Sequence, residues 1–108
     1  MEIDRGNIWA AIPKQIPAEL TEILAGSQAV RIERIISRGH CSADGFWYDQ
    51  DYNEWVLLLK GKAGLMFEGE NTTLELAAGD YLNIPAHVRH RVAWTAEDAE
   101  TLWLAVKY

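Results

Sequence analysis

From residue 30 to the C-terminus the chain runs almost entirely in period two, and that periodicity constrains its fold more than any other feature. Side chains two apart share one face of a strand, so alternation marks half-buried strands and turn residues mark their ends. AVRIERIIS alternates Val30 and Ile32 with Arg31 and Glu33, and the alternation slips near Arg34, as at a bulge. GHCSADG is a loop by composition, FWYDQ is aromatic and extended, and EWVLLLKG is a continuous apolar strand of the kind covered on both faces. AGLMFEG, TTLELA, YLNIP, HRVAWT and TLWLAVKY supply further short strands, separated by turns and by the acidic loop AEDAE. Seven or eight closely spaced strands predict an all-β sandwich or barrel.

The N-terminal quarter reads differently. Residues 1–16 show no period and form an irregular arm carrying Ile8, Trp9 and Ile12. In PAELTEILAG, Pro17 suits a first helical turn, Leu20, Ile23 and Leu24 share one face, and Gly26 is a natural stop. That pattern predicts one short helix of about two turns. The expected organisation is an arm and helix over residues 1–28, packed on a barrel over residues 29–108. A chain of 108 residues has room for one hydrophobic core.

Charge and cysteine usage narrow the function classes. A net charge of −6, with the ten Lys and Arg scattered, argues against a nucleic-acid partner, whose binding draws its affinity from a basic field. Cys41 is the one cysteine, so no intrachain disulfide forms, and only neighbouring His40 offers it an activating charge. No apolar run approaches the roughly 20 residues of a membrane span. MEIDRGNIW lacks the basic-then-apolar pattern of a secretion signal, so the cytoplasm is the default expectation.

Parity selects the candidate site. In HRVAWT, His90, Val92 and Trp94 share a face, and a strand that buries Val92 aims His90 inward. In EWVLLLKG, Glu54, Val56 and Leu58 share one face and Trp55, Leu57 and Leu59 the other; parity leaves open which is interior. In FWYDQ, Phe46, Tyr48 and Gln50 share a face, opposite Trp47 and Asp49. An inward His and an inward Glu are costly unless paired, hydrogen-bonded or metal-bound. A structural pairing and a ligand role both satisfy that requirement.

These residues also carry a resemblance. EWVLLLKG, with Glu54 ahead of Gly61, resembles the second half of the first cupin motif. GDYLNIPAHVRH resembles the second motif, with Gly79, Pro85 and His90 at the expected offsets. The likeness spans about residues 30–106, and GFWYDQ…EWVLLLKG…GDYLNIPAH is similar to small single-domain bacterial cupins. It implies a double-stranded β-helix, a jelly roll of two sheets. It also implies a transition metal at the barrel mouth, held by an H-x-H, a glutamate and the second-motif histidine. Glu54 and His90 match the last two, whereas Tyr48 and Gln50 stand where the H-x-H belongs, so the first motif is degenerate.

The metal set implied is therefore His90, Glu54 and Gln50, around divalent Fe, Mn, Ni, Cu or Zn. It is looser than the family norm, because an amide oxygen is a weak donor and a phenol binds well only when ionised. His87, where the family often has glycine, is a compensating candidate, with Asp49 and His40 behind it. Tyr48 and His87 are the candidates for proton transfer, and Tyr48, Phe46, His87 and Trp94 the expected pocket walls.

Three functions follow. The first is a metal-dependent enzyme on a small polar metabolite, such as an oxygenase, isomerase or lyase. The second is a non-catalytic small-ligand module built around the aromatic wall of Phe46, Trp47 and Tyr48. The third is a scaffold that dimerises through Trp55, Leu57 and Leu59; cupins commonly pair through such sheets, so a homodimer is expected.

Overall fold

The computed structural model describes residues 2–108, and eight strands supply its regular structure. They are β1 (Leu20–Gly26), β2 (Arg31–Ser37), β3 (Glu54–Lys60), β4 (Lys62–Phe67), β5 (Leu74–Ala77), β6 (Tyr81–Ile84), β7 (His90–Thr95) and β8 (Thr101–Lys107). All the pairings are antiparallel. One sheet has the order β1-β2-β8-β3-β6 and the other β5-β4-β7. Inward residues of both sheets make one core, including Val56, Leu58, Ala63, Leu65, Leu76, Ile84, Trp103 and Ala105. This is the all-β two-sheet barrel that the alternation predicts.

The short helix is not there: among the described residues there is none, and PAELTEILAG enters a strand instead. Leu20 pairs with Ile36 and Gly26 with Arg31, so β1 extends the five-stranded sheet by one edge strand. A two-turn helix is marginal on propensity alone, whereas the free edge of β2 offers a ladder of backbone partners. Tertiary pairing overrides the local signal.

The bulge lies one strand away from its expected place. β2 pairs with β8 without interruption, and the register shift falls on β1, between Ile23 and Ala25. The slip near Arg34 has another cause. Glu33 points into the barrel and Arg34 to the opposite face, and both are buried. Arg34 is covered by the N-terminal arm: its Nη1 donates to the carbonyls of Ile8 (3.0 Å) and Ala10 (2.6 Å), and its Nε to Glu22 Oε1 (2.7 Å).

A second bulge matters more for the site. β4 and β7 pair Gly64 with Trp94 but Leu65 with Val92, so Ala93 is the extra residue. The bulge breaks the parity that joined Trp94 to His90. The Trp94 indole lies against Gly64, where a Cβ would collide with it and with Thr73.

Candidate functional site

β7 and β3 bring the two inward ionisable residues together. His90 Nε2 lies 3.6 Å from Glu54 Oε1, and both side chains are largely buried. The other ring nitrogen, Nδ1, is 2.9 Å from the Val88 carbonyl. A carbonyl only accepts, so Nδ1 carries a proton and Nε2 is the atom presented to Glu54. Burial is the largest influence on His90 and pushes its pKa down; the nearby Glu54 carboxylate and the hydrogen bond to Val88 outweigh it and raise the pKa.

Tyr48 and Gln50 arrive from the loop between β2 and β3. The Tyr48 N–H donates to the His90 carbonyl (2.7 Å) and the His90 N–H to the Tyr48 carbonyl (3.1 Å). This two-bond bridge stacks the two rings, with centroids 5.4 Å apart. The loop is pinned to β7 upstream as well, by Ser42 N–H to the Val92 carbonyl and Val92 N–H to Ser42 Oγ. Burial foremost, then the charges of Glu19 and Glu54, raise the Tyr48 pKa, so its phenol stays protonated and acts as a donor.

Tyr48, Gln50, Glu54 and His90 line one cavity of about 260 Å3, with Val56, Leu65, Ile84 and Val92 as its apolar wall. The other sequence candidates lie elsewhere. Phe46 is exposed and meets Tyr48 edge-on, outside the cavity. Trp94 is turned away by the Ala93 bulge. His87 has a side chain 68% exposed, and its Nδ1 donates to Asp49 Oδ1 at 2.9 Å. The chain passes through the left-handed region there, with φ of 65°, which explains how a corner between strands turns this side chain outward. His40 is held apart too, its Nδ1 accepting from the Arg38 N–H.

The cavity contains residues that sequence reasoning missed: Glu19, Thr21, Ile35, Trp103 and Lys107. Glu19 sits at the rim before β1, where its carboxylate accepts from the buried Ser37 hydroxyl at 3.1 Å. Removal from water is the largest influence on it and raises its pKa. Lys107 lies directly across from Glu54 on the β3–β8 ladder, and its Nζ is 2.8 Å from the buried Glu33 carboxylate. Burial pushes the Lys107 pKa down, but Glu33 and Glu54 more than restore it, so the amine stays charged. Trp103 is 5% exposed, and its indole N–H has no hydrogen-bond partner among the described residues. Period two in TLWLAVKY puts Trp103, Ala105 and Lys107 on one face, a signal available in the sequence once the inward face of β8 is known.

A family model for the cupin domain matches residues 39–107. The chain is a cupin. A crystal structure from Ralstonia eutropha JMP134, of a protein provisionally described as a mannose-6-phosphate isomerase, superimposes with a TM-score of 0.92 at 45% identity, over 95% of each chain. A cupin superfamily protein from Desulfitobacterium hafniense DCB-2 gives 0.75 at 21% identity, over 99% of this chain and 93% of that one. A Thermus thermophilus protein gives 0.77 at 15% identity, over 97% and 96%. The last two show the shared fold alone. Comparison with curated proteins finds no match.

Many cupins hold a transition metal at this position, but the donors of this one do not fit a tightly bound ion. No three His, Cys, Asp or Glu side chains converge on a point among the described residues. Glu54 and His90 supply two strong donors, and they already face each other. Tyr48 stays a phenol, and Gln50 adds a weak amide oxygen, short of the imidazole-rich set that first-row ions favour.

Proposed function

We propose that this cupin binds a small polar molecule in its barrel cavity without a tightly held metal, and that Glu54 there pairs with a protonated His90 instead. The observation that carries this reading is the 3.6 Å approach of His90 Nε2 to Glu54 inside a cavity with no third strong donor. A carboxylate at that range, in a site shielded from water, favours the protonated form of the imidazole. The pair then serves as an anchor for a ligand hydroxyl or carbonyl. The test is ligand binding by the untagged protein before and after exhaustive chelation, alongside elemental analysis. Unchanged binding and substoichiometric metal are expected. Stoichiometric metal whose removal abolishes binding would refute the proposal.

A second reading is supported by the Ralstonia protein, which is described in terms of an isomerase. On that reading Glu54 and His90 move a proton on the ligand, with Tyr48 donating from its neutral phenol. Incorporation of solvent deuterium into a bound ligand carbon supports it; its absence under conditions of saturated binding leaves the cavity as a binding site only.

The expectation of a homodimer is part of the same proposal. Trp55, Leu57 and Leu59 lie on the outer face of β3, half-buried, and the Trp55 ring packs 5.6 Å from that of exposed Tyr81. Leu57→Asp should convert a sedimenting dimer to a monomer; a parent that is monomeric at micromolar concentration refutes the interface. We assign the protein to the cytoplasm on the same footing. The exposed free thiol of Cys41 suits a reducing compartment, and no helix of the described residues is long and apolar enough to cross a membrane.

A further inference from the structure

The cavity carries fixed charges of both signs, and that restricts what can occupy it. Glu54 and Lys107 face each other across β3 and β8. Glu19 enters from the far end of the sheet, because β2 and β8 lie between β1 and β3. The two also lie at opposite ends of the strands, Glu19 beside Ser37, which pairs with Thr101, and Glu54 opposite Lys107. An occupant of the cavity therefore meets an acid at either side.

The donors are as specific as the acceptors. Lys107 has three ammonium protons, and the Glu33 carboxylate at 2.8 Å engages one of them. The Trp103 N–H, a donor with no acceptor of its own among the described residues, belongs to a side chain that lines the same space. That nitrogen is itself closed off from the cavity, so the donor a ligand oxygen can reach is the Lys107 ammonium.

An anionic ligand would place its charge beside Glu19, whose carboxylate has no ion-pair partner among the described residues, and a cationic one beside Lys107 and the protonated His90. A hydroxyl group both donates and accepts. It can donate to a carboxylate and accept from Lys107, with no net charge removed from water. The volume of about 260 Å3 equals about nine water molecules at roughly 30 Å3 each, the bulk of a four- to six-carbon polyol.

We infer that the ligand is a small, uncharged, hydroxyl-rich molecule that spans from the Glu54–His90 pair to Glu19, and that Glu19 sets the selectivity against anions. Glu19 lies outside the matched cupin region of residues 39–107. The segment before the matched region thus contributes one end of the recognition. The inference rests on the proposal that the cavity binds a small molecule, and it specifies the chemical class.

The test is calorimetric titration of the full chain with four- to six-carbon polyols and aldoses, xylitol and D-xylose among them. Each is compared with its carboxylate counterpart, such as xylonate, and its amino counterpart, such as 1-amino-1-deoxyxylitol. At least one neutral member should bind with a Kd of about 1 mM or tighter, and its charged counterparts at least about tenfold more weakly. Glu19→Gln should narrow the neutral-over-anion ratio by about tenfold, and Glu19→Asp, which keeps the charge, should retain it. The inference is overturned if a charged counterpart binds as tightly as the neutral one, if Glu19→Gln shifts all ligands equally, or if no neutral member binds. A library of aromatic and aliphatic acids separates the two levels. An acid that fills the cavity refutes this inference and leaves the metal-independent site standing; if nothing fills the cavity, both fail.

Discussion

Replacing Glu54 with glutamine removes a charge 3.6 Å from His90 Nε2 while keeping the side chain's shape. At an effective dielectric of about 20, unit charges at that separation attract by roughly 4–5 kcal/mol before desolvation is counted. In the parent, burial is the largest single influence on His90 and lowers its pKa; Glu54 and the Val88 carbonyl together overcome it and lift the pKa above 6.5. In Glu54→Gln only the Val88 carbonyl remains to oppose burial, and burial is the larger of the two. The variant's His90 should therefore titrate below 6.5, a reversal of direction. A glutamine N–H donating to Nε2 would reinforce the drop by favouring the neutral ring.

The stability slopes should reverse as well. A raised histidine pKa gives the parent a contribution that is fully present below pH 6.5 and is lost as pH rises through the raised value. A depressed one makes the variant's contribution grow with pH in the adjoining window, from its lowered value up to 6.5. The unfolding free-energy difference between parent and variant should shrink as pH rises, by about 1.4 kcal/mol for each unit that separates the two midpoints. Histidine ring resonances followed by NMR, assigned through His90→Gln, give the midpoints, and urea unfolding between pH 5.5 and 8 gives the slopes. A Glu54→Gln midpoint equal to or above the parent's would refute the claim that Glu54 charges His90.

Two further perturbations probe what positions the site. Gly64→Ala should destabilise the fold by about 1–3 kcal/mol in urea unfolding, because the new methyl meets the Trp94 indole and Thr73; an unchanged midpoint would mean the indole shifts freely. Arg34→Met removes charge-assisted hydrogen bonds to Glu22 and to the Ile8 and Ala10 carbonyls, so chymotryptic cleavage at Trp9 should accelerate and stability fall by about 2–3 kcal/mol. Equal cleavage rates in parent and variant would show that the arm is held by other contacts.

Period two made the barrel legible, because its strands bury alternate residues and turn at polar, glycine-containing stretches. The same parity aimed His90 inward and put Tyr48 and Gln50 on one face but left the inward face of EWVLLLKG open; in the structure all four, Glu54 included, line one cavity. Where the reading failed, a longer-range interaction overrode a local pattern. Leu20, Ile23 and Leu24 have helical spacing, but the open edge of β2 took the segment as a strand and with it brought Glu19 to the cavity. Trp94 has the parity of His90 until Ala93 intervenes, and nothing in HRVAWT announces an extra residue. Arg34 and Glu33 looked like a slipped register because both are buried, one under the arm and one against Lys107.

The degenerate first motif changes the chemistry of what remains, beyond weakening a metal site. With imidazoles at positions 48 and 50, a cation between the ligands would neutralise Glu54 and draw the free nitrogen of His90 away from it. Tyr48 and Gln50 supply no such charge. The carboxylate and the ring nitrogen face each other directly, and the smallest cation that relieves them is a proton. Tyr48 then adds what histidine there would not: it stacks on His90 and presents a neutral phenol beside it. Substituting histidines for Tyr48 and Gln50 together should restore the ligand set and bring stoichiometric Zn or Mn with it. The same change should erase the raised titration of His90, since an imidazole nitrogen bound to metal has no site left for the proton.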